Sequence, residues 1–196
     1  MTPLLSICVC SVFERTETFL PKMLKQLKEQ LKDINPDEVE VFVLIDNKAR
    51  MLGTKRNDLI NMSSGKYVTA VDDDDTIHPD YVSTLINAAK TVDTDVITFE
   101  VAVSLDGGPY KLCYYDKNYP NDYNEPNTYH RLPNHLMAVK REIACEVGFK
   151  PILRGEDADY SKRLKPLLKT QTQLGRVLYM YDFNTATTET QIKRKR

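Results

Sequence analysis

Short apolar runs and helical spacings alternate along the first half of the chain. The runs predict three buried β-strands over residues 4–11, 40–45 and 67–71, and the segments that follow them predict helices within residues 19–31, 51–64 and 79–89. This strand–helix alternation predicts a parallel sheet with right-handed crossovers. In such sheets ligands bind at the carboxyl ends of the strands, where Asp46 and residues 72–75 lie.

The second half has a different pattern. Residues 95–105 and 110–115 predict two strands, and the Asp106-Gly107-Gly108 sequence between them is typical of a hairpin. Residues 117–128 are rich in Asn, Asp, Tyr and Pro and predict a long surface loop. Further strands are predicted at 136–139 and 176–183, and further helices at 141–147 and 156–168.

The pattern contains no internal repeat and no clear linker. We therefore predict a single domain over residues 1–190, with one half at 1–92 and the other at 93–190. Residues 191–196 form a basic tail that we expect to be disordered or a linker.

The composition excludes several classes of protein. The chain has 196 residues, of which 41% are hydrophobic and 28% charged, so it is too apolar for a disordered chain and long enough for a real core. The formal net charge of -1 argues against a general nucleic-acid binder, which needs a large basic excess. Because the sequence has no run of about 18 apolar residues, we expect no membrane span.

The N-terminal residues and the cysteines predict a cytoplasmic location. Residues 1–10 have neither a basic leader nor a small-residue cleavage site, so we expect no signal peptide. Cys8, Cys10, Cys113 and Cys145 lack the paired spacing of a metal site. We therefore predict free thiols in a soluble protein of a reducing compartment.

Four consecutive aspartates, Asp72 to Asp75, directly follow the third predicted strand, and we call them the acidic block. In an extended or turn segment, Asp72 and Asp74 point the same way and can present two carboxylates to one ion. Mg²⁺ and Mn²⁺ prefer oxygen ligands and would relieve the repulsion between like charges. The alternative interpretation is a solvated acidic loop.

A second acidic cluster lies at the start of the last predicted helix. Glu156, Asp157 and Asp159 follow Gly155, and the helix dipole alone would favour carboxylates there. The functional hypothesis is that one of them is a general base, because an ionised Asp can accept the proton of an attacking hydroxyl.

The ordered set of segments resembles family 2 glycosyltransferases of the GT-A fold. The resembling segments are SICVCSVFER (6–15), VFVLID (41–46), GTKRN (53–57), SGKYVTAVDDDD (64–75), NHLMAVKRE (134–142), Gly148-Phe149 and GEDAD (155–159). The resemblance implies an α/β fold: a single Rossmann-like mixed sheet, mostly parallel and flanked by helices. It also implies an inverting hexosyltransferase that uses a UDP-sugar and a glycan or glycoprotein acceptor.

The resemblance further implies a donor site in residues 1–92 with the following members. Asp46 would bind the uracil, and the nucleoside pocket would be lined by Ser11, Phe13 and Arg15. Arg56 would lie near the diphosphate, and Asp72 and Asp73 would contact the donor. Asp74 with Asp72 would hold Mn²⁺ or Mg²⁺ as a DxD motif.

The resemblance places the acceptor in residues 93–190. Asp157 would be the catalytic base that deprotonates the acceptor hydroxyl, with Glu156 beside it at the acceptor. Asp159 and His135 are candidate acceptor contacts, and a structural role is the alternative for His135. Residues 129–135 resemble a segment of the small enzymes that large DNA viruses use to glycosylate capsid proteins. This resemblance implies a location in the host-cell cytoplasm.

The sequence departs from the family pattern at two places, and two alternative functions also fit part of it. Ser11 and Glu14 replace the usual Pro and Asn of the first loop, and the last predicted strand has no metal-binding His. One rival is a haloacid-dehalogenase-type phosphatase, because Asp72 to Thr76 also fits a strand-D-x-D-x-T motif. The other is a non-catalytic module that binds a sugar nucleotide.

Overall fold

Three parallel strands form the part of the sheet that carries the acidic block. The computed structural model describes residues 2–152 and 154–186, and in it these strands are β1 (Leu5–Val12), β2 (Val39–Asp46) and β3 (Tyr67–Asp72). β1 lies between β2 and β3 and is buried almost throughout, as expected for a central parallel strand. Val12 pairs with Asp46 and Cys10 with Asp72, so the three carboxyl ends meet at one edge.

Helices connect these strands. They are α1 (Leu20–Leu31), α2 (Leu52–Met62) and α3 (Tyr81–Thr91), and the short β4 (Thr76–Ile77) precedes α3. α1 buries Leu20, Met23 and Leu27, whose spacing of three and four residues places them on one face. α1 packs against α3, whereas α2 packs against β1 and β2. The predicted parallel arrangement of the first three strands is therefore confirmed.

The second half extends the same sheet. Its elements are β5 (Val96–Leu105), β6 (Lys111–Tyr115), β7 (Tyr123–Asn124), β8 (Thr128–Arg131), β9 (Ala138–Lys140), α4 (Arg141–Val147), α5 (Glu156–Leu164) and β10 (Gln171–Phe183). β5 and β6 form the predicted antiparallel hairpin. β9 pairs antiparallel with both β3 and β5, and thereby joins the two halves. β10 runs parallel to β5 and antiparallel to β4.

The described residues thus form one ten-stranded mixed sheet with flanking helices, and the predicted α/β class is confirmed. The longest ladders, β1 with β2 and β5 with β10, are parallel. All four cysteines are free thiols. Among the described helices, none has the length and apolar character needed to cross a membrane.

Two predicted elements have different bounds in the structure. The last helix ends at Leu164 and continues as a short 3-10 turn, because Pro166 cannot donate the next helical hydrogen bond. The last strand begins at Gln171 and not at residue 176. Its first residues are polar, and Gly175 lies in the left-handed region (φ 61°) beside a register shift, so the apolar pattern does not reveal them.

The predicted surface loop at 117–128 contains β7 and the first residue of β8. The strand predicted at 136–139 is β9, displaced by two residues at its start. The predicted basic tail at 191–196 lies outside the described residues.

Candidate active site

A large cavity opens at the carboxyl ends of the parallel strands. Its volume is about 940 Å³. The predicted site residues that line it are Ser11, Arg15, Arg56, Asp72, Asp73, Asp74, His135, Glu156 and Asp157. Residues from both halves of the sequence therefore meet in one cavity, as expected for a sheet whose strand ends share an edge.

Asp73, directly after β3, is held from two sides by residues at the end of β1 and just beyond it. Its carboxylate accepts a hydrogen bond from Ser11 Oγ at 2.5 Å and pairs with the Arg15 guanidinium at 2.5 Å. Arg15 also pairs with Asp74 at 3.0 Å. Burial raises the pKa of Asp73, although Ser11 and Arg15 oppose that shift. Three residues predicted for the donor site are thus in direct contact.

Asp72, the last residue of β3, contacts the second half of the chain. Its Oδ1 accepts from Arg56 at 2.9 Å, and its Oδ2 lies 3.3 Å from His135 Nε2. Burial alone would raise the pKa of Asp72, but its contacts with Arg56 and His135 outweigh burial and hold the pKa below its ordinary value. His135, predicted as an acceptor contact, lies against Asp72.

The other two aspartates of the acidic block differ in exposure. The side chain of Asp74 is 28% exposed, whereas Asp75 is buried and accepts a hydrogen bond from Tyr179 at 2.7 Å. Burial raises the pKa of both carboxyls, and the charge of Asp72 adds to each shift. A positive charge bound in this part of the cavity would therefore reduce the repulsion between these carboxylates.

The three acids at the start of α5 lie in different surroundings. The helix begins after Gly155, whose φ of 72° is one that residues with side chains rarely adopt. Glu156 is buried and pairs with Arg56 at 2.7 Å. Asp159 does not line the cavity and pairs with Lys150 and Arg163. Asp157 lines the cavity and accepts a hydrogen bond from the N–H of its neighbour Ala158.

Three predicted site residues do not line the cavity. Phe13 is 71% exposed on the protein surface. The carboxylate of Asp46 accepts from Lys55 Nζ at 2.8 Å and from two backbone N–H groups of its own loop. Asp159 has the ion pairs described above. The predicted substrate contacts of these residues stay predictions.

Two residues at or near the cavity were not predicted from the sequence. Lys55 is buried and joins the ends of β1 and β2, because its Nζ donates to the Ser11 carbonyl at 3.0 Å and to Asp46. It lies inside the GTKRN segment, so its position in that motif was a usable signal. Tyr179 donates to Asp75 and accepts from the Asp72 N–H at 3.0 Å, and its sequence context gives no such signal.

The acidic block has the donor chemistry for Mg²⁺ or Mn²⁺. Within residues 2–152 and 154–186, no three His, Cys, Asp or Glu side chains are grouped as a ready-made metal site. Mg²⁺ is usually held by one or two carboxylates together with substrate phosphates and water, so two carboxylates that line the cavity fit such an ion. Asp74 and Asp72 are the residues that would hold it.

The chain is similar in sequence to EpsH and in fold to TarS. The chain is 27% identical over 125 residues to EpsH of Bacillus subtilis (strain 168), a protein named as a glycosyltransferase, and the match covers 54% of this chain and 36% of EpsH. The structure of S. aureus TarS 1-349 matches with a TM-score of 0.69 and 16% identity, covering 91% of this chain and 60% of that one. Its complex with UDP-GlcNAc matches with a TM-score of 0.68 and 14% identity, covering 91% and 58%.

The chain spans less than two thirds of the length of each of these relatives. At such identities the structural likeness shows a shared fold. Residues 41–148 match the family described as Glycosyl transferase family 2. This segment includes the acidic block and β9, and it covers more than half of the chain. The protein therefore belongs to glycosyl transferase family 2.

Proposed function

We propose that the protein is an inverting hexosyltransferase that moves a sugar from a UDP-sugar donor to a hydroxyl of a glycan or glycoprotein, with Mn²⁺ or Mg²⁺. The observation that carries the proposal is that the acidic block and Asp157 line one cavity. Membership of glycosyl transferase family 2 supports glycosyl transfer, and the fold relative TarS has been solved with UDP-GlcNAc.

The donor half in this proposal is residues 1–92. Ser11, Arg15 and Asp73 form a largely buried hydrogen-bonded group that can orient the nucleoside. Arg56 lines the cavity while paired with Asp72 and Glu156, so its guanidinium is already oriented when the diphosphate arrives. Asp74 with Asp72 would hold the divalent ion, which when bound neutralises charge on the diphosphate leaving group.

Asp157 is the general base of the proposal. As the acceptor oxygen bonds to the anomeric carbon, the proton of that hydroxyl passes to the Asp157 carboxylate. The bond from the anomeric carbon to the diphosphate oxygen breaks, and its electron pair leaves with the nucleotide. One direct displacement inverts the anomeric carbon, and the base contributes about 10²–10⁴-fold to the rate.

Glu156 has a different role in this scheme. Because it is buried and paired with Arg56, it holds that guanidinium in place and does not meet the acceptor. A capsid glycoprotein as the acceptor, suggested by the resemblance of residues 129–135 to viral enzymes, stays a prediction.

A panel of nucleotide sugars, screened for thermal stabilisation with and without Mn²⁺, tests the donor and the metal together. A ligand at 100 times its Kd stabilises by about 2.7 kcal/mol, or about 5–10 °C in Tm for a chain of this size. We expect a UDP-sugar with Mn²⁺ to give the largest shift. Asp74→Ala should abolish the Mn²⁺-dependent part because it removes a ligand of the ion.

Asp33→Ala, at an exposed aspartate outside the cavity, is the matched control and should keep the full shift. An undiminished Mn²⁺-dependent shift in Asp74→Ala would disprove the metal assignment. Metal-dependent release of phosphate from phosphomonoesters, lost in Asp72→Asn, would favour the phosphatase instead. NMR of the first product tests inversion, since a retained anomeric configuration contradicts direct displacement.

A further inference from the structure

His135, shortly before β9, is a buried histidine that contacts the acidic block. Its side chain is 7% exposed, and it lines both the large cavity and a small second cavity. Its backbone is anchored to β3, because the His135 carbonyl accepts from the Ala70 N–H at 2.8 Å. This anchor places the imidazole ring beside Asp72, the last residue of the same strand.

The two oxygens of the Asp72 carboxylate are held from different elements. Arg56 of α2 donates to Oδ1 at 2.9 Å, and Nε2 of His135 lies 3.3 Å from Oδ2. An aspartate is ionised at neutral pH, and an ionised carboxylate can only accept hydrogen bonds. Nε2 of His135 therefore carries the proton in this contact and donates it to Asp72.

The contact with His135 adds something that Arg56 alone does not provide. The terminal torsion of an aspartate is broad, so a carboxylate held at one oxygen can still turn. A donor at the second oxygen stops that rotation. The backbone is fixed as well, because the Asp72 N–H donates to the Tyr179 hydroxyl at 3.0 Å. Each carboxylate oxygen keeps a further lone pair, and Asp72 lines the large cavity, so the fixed carboxylate can still bind a ligand.

The other ring nitrogen of His135 shows that packing alone does not explain a histidine here. Nδ1 is buried, and among the described residues it has no hydrogen-bond partner. An unpaired buried polar atom costs free energy, and such an atom in a folded protein calls for an explanation. A leucine would fill a similar volume without this cost. The hydrogen bond from Nε2 to Asp72 is what the imidazole supplies and an aliphatic side chain cannot.

We propose that His135 is a positioning residue, whose Nε2–H fixes the Asp72 carboxylate so that it can bind the divalent ion together with Asp74. This inference rests on the proposed function, because it adds a residue to the metal site of that function. In this role His135 acts through Asp72 and is not itself a ligand of the ion. Hydrogen-bond partners of metal ligands typically contribute 10–100-fold to metal affinity, and we expect an effect of about that size.

The test compares His135→Leu with His135→Gln in the full chain. Leucine fills the space without a donor, whereas the glutamine amide can donate from about the position of Nε2. In the presence of UDP, His135→Leu should weaken Mn²⁺ binding about 10–100-fold, and His135→Gln should keep most of the affinity. Electron paramagnetic resonance of free Mn²⁺ measures the affinity without any turnover, and thermal unfolding checks that each variant is folded. If His135→Leu does not fold, His135→Asn, which is too short to reach Asp72, replaces it.

His78→Leu is the matched control. His78 also lies beside an aspartate, with Nδ1 at 3.7 Å from Asp80, but it is outside the large cavity. Its replacement should leave the Mn²⁺ affinity unchanged. An unchanged affinity in His135→Leu would overturn the proposal. Equal losses in His135→Leu and His135→Gln would overturn it too, because they would show a packing role, and so would an equal loss in the control.

Nuclear magnetic resonance of the ¹⁵N-histidine-labelled protein, recorded without ligands, tests the contact itself. The Nε2–H signal of His135 should be visible and should shift in Asp72→Asn, and an unchanged signal would overturn the contact whatever the protein binds. The two proposals fail in different ways. A wild type that binds no Mn²⁺ in the presence of UDP refutes the proposed function, whereas wild-type binding that His135→Leu leaves unchanged refutes the role of His135 alone.

Discussion

Three acidic side chains within the first turn of α5 lie in three environments. Glu156 is buried against Arg56, Asp159 pairs with Lys150 and Arg163, and Asp157 lines the cavity. Among the described residues, no Lys, Arg or His pairs with Asp157. A carboxylate without a cationic partner is available to accept a proton, which distinguishes Asp157 from its neighbours on the helix.

Replacing Asp157→Asn should keep donor binding and lose transfer. The amide has nearly the same size but cannot accept the proton of the acceptor hydroxyl, so we expect a loss of about 10²–10⁴-fold in kcat. Turnover and the UDP-induced shift in Tm, measured on the same preparation, separate chemistry from binding.

Glu142→Gln serves as the control for this change. Glu142 is an exposed acid in the first turn of α4, outside the cavity, so its replacement should leave turnover unchanged. Normal turnover in Asp157→Asn would rule out Asp157 as the base.

Asp46 shows the limit of reasoning from strand ends. The sequence placed it correctly at the end of β2, at the same edge as the acidic block. Its carboxylate is nevertheless occupied by Lys55 of α2 and by its own loop. Only the packing of α2 against β1 and β2 brings Lys55 to that position, and the strand pattern does not encode it.

At the scale of elements, Glu40 of β2 ties three segments together. Its carboxylate accepts from Ser6 Oγ of β1 at 2.6 Å, from Ser64 Oγ at 2.9 Å and from the Gly65 N–H at 3.0 Å, just before β3. Although burial opposes the shift, these hydrogen bonds hold the pKa of Glu40 below its usual value. The charged form thus stabilises the parallel part of the sheet.

Glu40→Gln should destabilise the protein at neutral pH and have less effect in acid. Because the folded pKa is lowered, the stabilisation is present above the usual value of 4.5 and is lost as the pH falls through the folded value. We expect a loss of about 1–3 kcal/mol at pH 7. Denaturant unfolding of both proteins, from pH 7 down to the acid limit of folding, measures the difference.

Glu17→Gln, at an exposed carboxylate, is the reference variant and should match the wild type at every pH. A difference between Glu40→Gln and the wild type that stays constant in acid would show that the Glu40 charge is not the stabilising feature.

The apolar pattern predicts where a strand begins and ends only if at least one face of that strand is buried. β1 is buried almost throughout and was predicted to within one residue at each end. The first part of β10 alternates partly buried and exposed residues, so its pairing with β5 was not visible in the sequence. Backbone hydrogen bonding in the sheet, and not side-chain burial, defines that part of the strand.

At the scale of the whole molecule, the two sequence halves share one sheet. β9 lies between β3 and β5, and the ion pair of Arg56 with Glu156 crosses between the halves inside the cavity. Neither half can unfold without breaking these contacts. The predicted single domain over residues 1–190 therefore implies one cooperative transition.

Thermal unfolding tests this prediction. Far-ultraviolet and near-ultraviolet circular dichroism should report the same midpoint, and the calorimetric and van't Hoff enthalpies should agree. UDP with Mn²⁺ should shift the whole transition upward. Two separated transitions, only one of which responds to UDP, would show that residues 1–92 and 93–190 are independent units.

Much of this protein can be determined from its sequence alone. Apolar periodicity predicted the strand–helix order, because burial of one face is a local property. The aspartates at the end of β3 and the order of the motifs indicated the family. The tertiary structure decided how each charge is used. Arg56 pairs with Asp72 and Glu156, and β10 pairs with β5 although the two strands are distant in sequence, because such contacts depend on packing between elements that no local pattern specifies.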